Sequence, residues 1–218
     1  MFGIFNDNFP PVLDGVALTA QNYAYWLHAK GHEVRVITDY APKMQEVIKA
    51  APYPINFVPS VPIPFRYPYR YGLPYASPAF MHNFRKMQFE LVHAHCPFVT
   101  GYLAYAAAQK QQIPLVATFH SKYRQDFEHN VHSKRIVDAM VRIIIRFFNK
   151  ADEVWIPQAA VEPTLREYGY AGHVEVVENG NDFYTPSPQI DAMRAEMRGE
   201  LGMAPEDMML LFVGQHIW

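Results

Sequence analysis

Residues 90–123, ELVHAHCPFVTGYLAYAAAQKQQIPLVATFHSKY, constrain the fold of this chain more than any other stretch. Two short apolar runs, residues 91–94 and 115–118, have the length and composition of buried strands, and a histidine follows close on each, His95 and His120. Between them an alanine-rich helical pattern covers residues 99–111. Strand, helix and strand in that order make a crossover unit, which joins parallel strands. Open parallel sheets bind ligands beyond the carboxyl ends of their strands, so both histidines fall at a candidate ligand edge.

The chain before this stretch follows the same grammar. Residues 2–6 read as a buried first strand, residues 7–15 as a polar, turn-rich loop, residues 16–30 as a helix and residues 34–38 as a second strand. Gly31 falls where a helix end favours a left-handed residue. Gly15 falls where the loop meets the helix, and the N–H groups and dipole at that end favour an anion such as phosphate. A glycine there also serves as a plain tight turn, so both readings stand. The spacing is not G-x-G-x-x-G, and the second strand ends in Thr38 and Asp39 without the rest of a dinucleotide fingerprint. A nicotinamide oxidoreductase is therefore disfavoured.

Residues 55–58 suggest a third strand. The chain is unusual in its 18 prolines and 14 tyrosines, many of them gathered between Pro52 and Pro78. Pro62, Pro64, Pro68, Pro74 and Pro78 exclude a regular helix or a central strand there. Arg66 and Arg70, interleaved with Phe65, Tyr67, Tyr69 and Tyr71, suit a sugar, a phosphate or a lipid headgroup, or else a loop packed on its own rings. Helical spacing resumes over residues 79–88. Past the crossover, residues 121–130 read as a polar turn and residues 131–149 as an amphipathic helix. The basic residues of that helix, Lys134, Arg135, Arg142, Arg146 and, just beyond it, Lys150, fit the solvated face of a helix packed on a sheet or, alternatively, a membrane surface. A strand over 153–156, a helix over 159–168 and a strand over 174–177 complete a domain of residues 1–182. A linker with a helix over 190–201 occupies residues 183–206, and an apolar strand over 208–213 within residues 207–218 reads as the start of a second α/β domain.

Composition excludes several classes. Half of the 218 residues are apolar and 18% are charged, as in a globular protein, and a net charge of −2 gives no whole-chain case for nucleic acid. Cys96 is the only cysteine, which excludes an intramolecular disulfide and a multi-cysteine metal site and fits a cytoplasmic chain. The first residues lack the basic and apolar regions of a signal peptide. Asp138, Arg142 and Arg146 interrupt the densest apolar segment, so no transmembrane helix is expected. His93 and His95 share one strand face, but no carboxylate or cysteine accompanies them at ligand spacing, and no metal is expected. Cys96 reads as a buried spectator thiol.

Six landmarks in order, FNDNFPPVLDGVALTAQNYAYWLHAKGHEVRVIT, ELVHAHCPFVTG, PLVATFHSKY, ADEVWIPQAAV, VEVVENGND and LLFVGQHIW, resemble the retaining glycosyltransferases of family 4. The resemblance implies an α/β fold, a Rossmann-like parallel sheet flanked by helices that forms the N-terminal half of a GT-B architecture. It also implies a missing C-terminal domain carrying most nucleotide-sugar contacts and an E-x7-E type motif, so that residues 1–218 alone would be inactive. LLFVGQHIW resembles the opening of that domain, with Gln215 and His216 where the family carries R-L. The implied substrate is a nucleotide sugar of the UDP-glucose or GDP-mannose type, with no tightly bound cofactor. Gly15 and Asp14 would meet the donor's phosphate or sugar, and His120 would be the catalytic-site residue that positions the donor sugar. Asp7, Asn8, His95, Phe98 and Tyr123 would form the acceptor side. The loop over residues 62–74 resembles that of members acting on diacylglycerol, which implies a lipid acceptor, with a small molecule as the other option, and peripheral contact at the inner face of a membrane. A non-catalytic module binding a sugar, phosphate or lipid headgroup is the competing class.

Overall fold

The computed structural model describes residues 1–12, 14–64, 67–180, 187–204 and 206–212. Residues 1–180 form one compact unit and residues 181–218 a second.

The first unit is built on seven parallel strands: β1 (Phe2–Asn6), β2 (Val34–Asp39), β3 (Ile55–Val58), β6 (Leu91–Ala94), β7 (Leu115–Thr118), β8 (Glu153–Ile156) and β9 (Glu175–Val176). Two further strands, β4 (Ser60–Pro62) and β5 (Arg70–Gly72), form a separate antiparallel ribbon. The spatial order is β3-β2-β1-β6-β7-β8-β9. The chain thus steps outward from β1 to β3 and returns to pair β6 with the free edge of β1. The reversal opens a crevice between β1 and β6, where ligands enter a sheet of this kind.

Alternation along the strands divides the core between two faces. Ile4, Val34 and Val36 pack on one face with Ala20 and Ala24 of helix α1 (Gly15–Ala29) and with Val47 and Ile48 of α2 (Gln45–Ala50). Their strand neighbours Phe5, Ile37 and Val92 belong to the opposite face. That face is covered by α3 (Pro78–Lys86), α4 (Val99–Gln111), α5 (Tyr123–Asn130), α6 (Lys134–Phe148) and α7 (Glu162–Glu167). Helix α6 buries Val137, Val141, Ile144, Phe147 and Phe148 and leaves Arg135, Arg142 and Arg146 in solvent. Among the described residues, no helix is long and apolar enough to cross a membrane.

Several elements differ from the sequence reading. Residues 123–130, expected as a turn, form α5: only Tyr123 and Phe127 are buried there, but they stand four apart on one helical face, and Tyr123 closes on the ring of Phe119. Helix α2 was not expected because its six residues hold no buried side chain of their own. The proline-rich loop contains the β4–β5 ribbon, with Pro62 on its edge, where a missing N–H is tolerated. Phe65 and Arg66 lie outside the described residues.

Helix α4 crosses very close to the turn that feeds it. A Cβ on Gly101 would run into the Cys96 carbonyl and touch the Phe147 ring. Gly101→Ala is therefore expected to destabilise the protein by about 2 kcal/mol, an overpacking effect, even though alanine favours helix. A urea melt at unchanged m-value measures it, and a gain in stability would show that the turn relaxes freely.

In the second unit, α8 (Ile190–Glu200) buries none of its residues. Arg198 reaches the carbonyls of Ala204 and Asp207, and the Asp207 carboxylate accepts the Ala204 amide at 2.7 Å. Of the strand expected over residues 208–213, residues 208–212 are described; they are unpaired and largely exposed, with Leu210 at 90%. An extended run becomes a strand only when another strand satisfies its backbone groups, and none does so among the described residues. Residues 213–218 lie outside the description.

Candidate functional site

The C-terminal edge of the sheet gathers polar groups that a core would otherwise exclude. His93 and His95 project from the α1 face of β6 and the turn after it, with ring centroids 4.0 Å apart. Tyr23 of α1 packs on both, at 5.0 and 5.2 Å, and Trp155 of β8 packs on His93 at 5.0 Å. His93 Nε2 lies 2.7 Å from Thr118 Oγ1, and His95 Nδ1 lies 3.0 Å from His120 Nε2. Burial drives all three imidazoles toward the neutral form. His93 falls to about 3, His120 to about 4, and His95 well below its ordinary value. In the His95–His120 pair one ring therefore donates and the other accepts, and that choice decides whether His120 Nδ1 is an acceptor or a donor.

A second group lies across the β1–β6 crevice. Asp7 Oδ1 accepts the Thr100 amide at 2.8 Å, in the first turn of α4, where a carboxylate meets the positive end of the helix. The Asp7 amide points to Cys96 Sγ at 3.3 Å, and that sulfur is 3.2 Å from Thr100 Oγ1. Burial raises the Asp7 carboxyl above its usual range, against the Thr100 hydrogen bonds. The Cys96 thiol is pushed up by burial and by the Asp7 charge, so it stays protonated and weakly nucleophilic. Tyr123 is buried, its ring edge-on to Phe98 at 5.9 Å. Its phenol is raised well above the usual value, chiefly by burial, with nearby acidic groups adding to the shift.

Asp14 itself caps α1, its Oδ1 accepting the Val16 amide at 2.7 Å. Gly15 begins the helix, is exposed, and a Cβ built on it meets nothing within 4 Å. Asn8 is half-buried, and its carbonyl accepts Asn6 Nδ2 at 2.7 Å.

Sequence reasoning passed over the third group. Asp39, at the end of β2, is buried beneath β5, where a Cβ on Gly72 would press on its carboxylate. Burial raises Asp39 to about 8, with the Asp7 charge adding and Arg70 opposing. Arg70 is engaged with Ser60, through Nε to Oγ at 2.9 Å and Nη2 to the carbonyl at 2.7 Å. The acidic end of β2 is visible in the sequence, but no local pattern there announces that Asp39 is buried.

Four buried side-chain polar atoms have no partner among the described residues: Thr38 Oγ1, both Asp39 oxygens and His95 Nε2. Each such atom costs about 1–3 kcal/mol, so their concentration at one sheet edge marks the place where a ligand or water completes them. No group of three or more His, Cys, Asp or Glu side chains is placed to hold a metal ion among the described residues.

The structure thus brings His95 and His120 into contact, sets Asp7 on the first turn of α4 and Phe98 against Tyr123, and holds Asp14 at the N-terminus of α1. It leaves Gly15 open to solvent. Thr100, Thr118, Tyr23 and Trp155 are the supporting residues that no motif announced.

The chain is similar to known proteins along nearly its whole length. The chain is 26% identical over 224 residues to an alpha-monoglucosyldiacylglycerol synthase of Acholeplasma laidlawii, covering 98% of this chain and 55% of that protein. It is 25% identical over 214 residues to the synthase of the same name from Streptococcus pneumoniae, covering 96% of this chain and 47% of that one. The chain spans about half the length of the curated relatives it matches. In fold it is similar to Anabaena Alr3699/HepE, solved in complex with UDP and glucose, with a TM-score of 0.63 and 17% identity over 92% of this chain and 50% of that one. The sheet and its flanking helices have the Rossmann-like α/β architecture of one half of a GT-B fold. The family model for Glycosyltransferase Family 4 matches residues 13–183, and the chain belongs to that family.

Proposed function

We propose that this chain is the acceptor-side half of an enzyme that moves a hexose from a nucleotide sugar to the free hydroxyl of a diacylglycerol-type lipid, with retention at the anomeric carbon. The single observation that carries the reading is the polar edge at the β1–β6 crevice, with its unpartnered His95 and Asp39 atoms, in a chain of this family. The names of the two synthases support the lipid acceptor, and the UDP and glucose held by the structural relative support the donor class. Residues 183–206 would link to a nucleotide-sugar domain beginning within 207–218, and the extra length of the relatives supports this division.

In this reading the bond between the anomeric carbon and the β-phosphate oxygen breaks while the acceptor oxygen attacks from the same face. The acceptor's proton passes to the departing phosphate. Negative charge grows on that phosphate, and the open N-terminus of α1 at Gly15 meets it with N–H dipoles. Asp14 holds the first turn of α1 in place rather than touching phosphate directly. Neutral His120, oriented by His95, holds the donor sugar. Asp7, Asn8, Phe98 and Tyr123 shape the acceptor side.

The full-length protein, incubated with UDP-glucose or GDP-mannose and diacylglycerol, is expected to yield a glycolipid from one donor. Donor-dependent binding of sugar without product, across both donors and with soluble acceptors, would replace this reading with a binding module. His120→Ala is expected to lower kcat by about tenfold or more with little change in thermal midpoint. Equal losses of activity and stability would assign His120 to the fold instead.

A further inference from the structure

Beside the crevice lies a cavity of about 520 Å3 between β5, the short 3-10 helix after it, the turn after β6 and helices α4 and α6. Tyr71, Leu73, Phe98, Tyr102, Ala106 and Ile143 supply much of its wall, and no charged side chain lines it. Apart from tyrosine hydroxyls and backbone groups, its wall is apolar, and it offers a phosphate no cation. Its lining includes Gly72, which lies against both Val99 and Asp39, and the Phe98 ring that meets Tyr123. The apolar space therefore begins where the acceptor-side groups end.

Its rim has a different chemistry. Ile143 is half-exposed between the exposed cations Arg142 and Arg146. Tyr75, 76% exposed, is shared with a neighbouring hollow lined by His82, Arg85 and Lys86. Helix α3 carries no acidic residue, and the one acid on α6, Asp138, is bound to Arg124 at 2.8 Å. In a chain of net charge −2, cations and tyrosines thus ring an apolar well. That combination matches the interface of an anionic bilayer: hydrocarbon enters the well, rings sit at headgroup depth and cations meet lipid phosphates. The volume lies within the range of pockets that enclose small ligands.

We propose that the cavity receives one acyl chain of a glycerolipid acceptor, drawn from the bilayer with its headgroup turned toward the β1–β6 crevice. This rests on the lipid-acceptor reading above and adds where the chain is held. The test uses the full-length protein and dansyl-labelled fatty acids of increasing length. Each methylene seated in the cavity is expected to strengthen binding about fourfold until the cavity is full. Ala106 is exposed on α4, so Ala106→Phe fills the cavity with little demand on the fold. It is expected to weaken probe binding at least tenfold and to flatten the chain-length dependence, at an unchanged thermal midpoint. Ile143→Ser, at the mouth, is expected to act in the same direction and serves if Ala106→Phe folds poorly. Probe binding with the wild-type length dependence in both variants would overturn the proposal. So would a wild type that binds no probe and an Ala106→Phe variant of lowered thermal midpoint, since another segment of the protein would then occupy the cavity. Loss of probe binding in the variants, with no transfer to any diacylglycerol by the wild type, would sustain the acyl-chain site and remove the transferase reading instead.

Discussion

Gly15→Val is expected to lower glycosyl transfer by the full-length enzyme about 100-fold or more while barely moving its thermal midpoint. Two common reasons for a glycine are absent here. Its backbone is not among those with positive φ, and a Cβ at this position meets no other atom within 4 Å. A valine in the first turn of α1 gives up only part of a kcal/mol of helix propensity relative to the best formers, and relative to glycine it gives up nothing. The Asp14 cap survives, because it uses the Val16 amide. What valine does remove is the bare approach to the helix N-terminus, where a departing diphosphate would gather charge. The informative measurement is kcat/KM beside a thermal melt. Near-normal turnover would take Gly15 out of the site, and a large drop in stability would return it to the fold.

How far the sequence reached depended on whether a segment carries its own signal. The crossover 90–123 was legible in detail because its strands are buried on both faces and its helix is alanine-rich: β6, α4 and β7 fall on the expected residues. Gly31, with φ of 90°, ends α1 as its type suggested. Helix α5 was not legible, because its two core residues gain their meaning from Phe119 and Tyr168, which other elements supply. In the candidate site, the shared face of His93 and His95 followed from strand alternation. The contact of His95 with His120 follows from the pairing of β6 with β7, which no local pattern states. Asp39 was hidden for the same reason: its burial is produced by β5, a strand some thirty residues later whose proline-rich setting argued against regular structure.

Asp39→Asn is expected to change how stability depends on pH by about 3 kcal/mol between pH 5 and pH 7. The folded carboxyl sits at about 8, whereas the unfolded one lies at 3.8. Through this interval the native chain holds a proton that the unfolded chain has released. Stability from this group is complete below about 3.8 and is lost progressively as pH rises toward 8, so wild-type Asp39 weakens the fold near neutrality. Asparagine is neutral at every pH and lacks this slope. The buried histidines act in the opposite sense: their folded values, about 3 for His93, about 4 for His120 and depressed for His95, lie below 6.5. Their stabilisation is complete above 6.5 and is lost as pH falls toward 4. The two trends cross, and the wild type is expected to be most stable near pH 6.5; Asp39→Asn removes the alkaline decline and, by removing the opposing slope, steepens the acid side. Urea melts of both proteins at several pH values separate the effects, since the amide's own packing change is common to every pH. Parallel curves for the two proteins would mean that Asp39 is ionised in the folded chain. That outcome would require a partner for its carboxylate, and Arg70, whose charge already favours the ionised form, is the candidate.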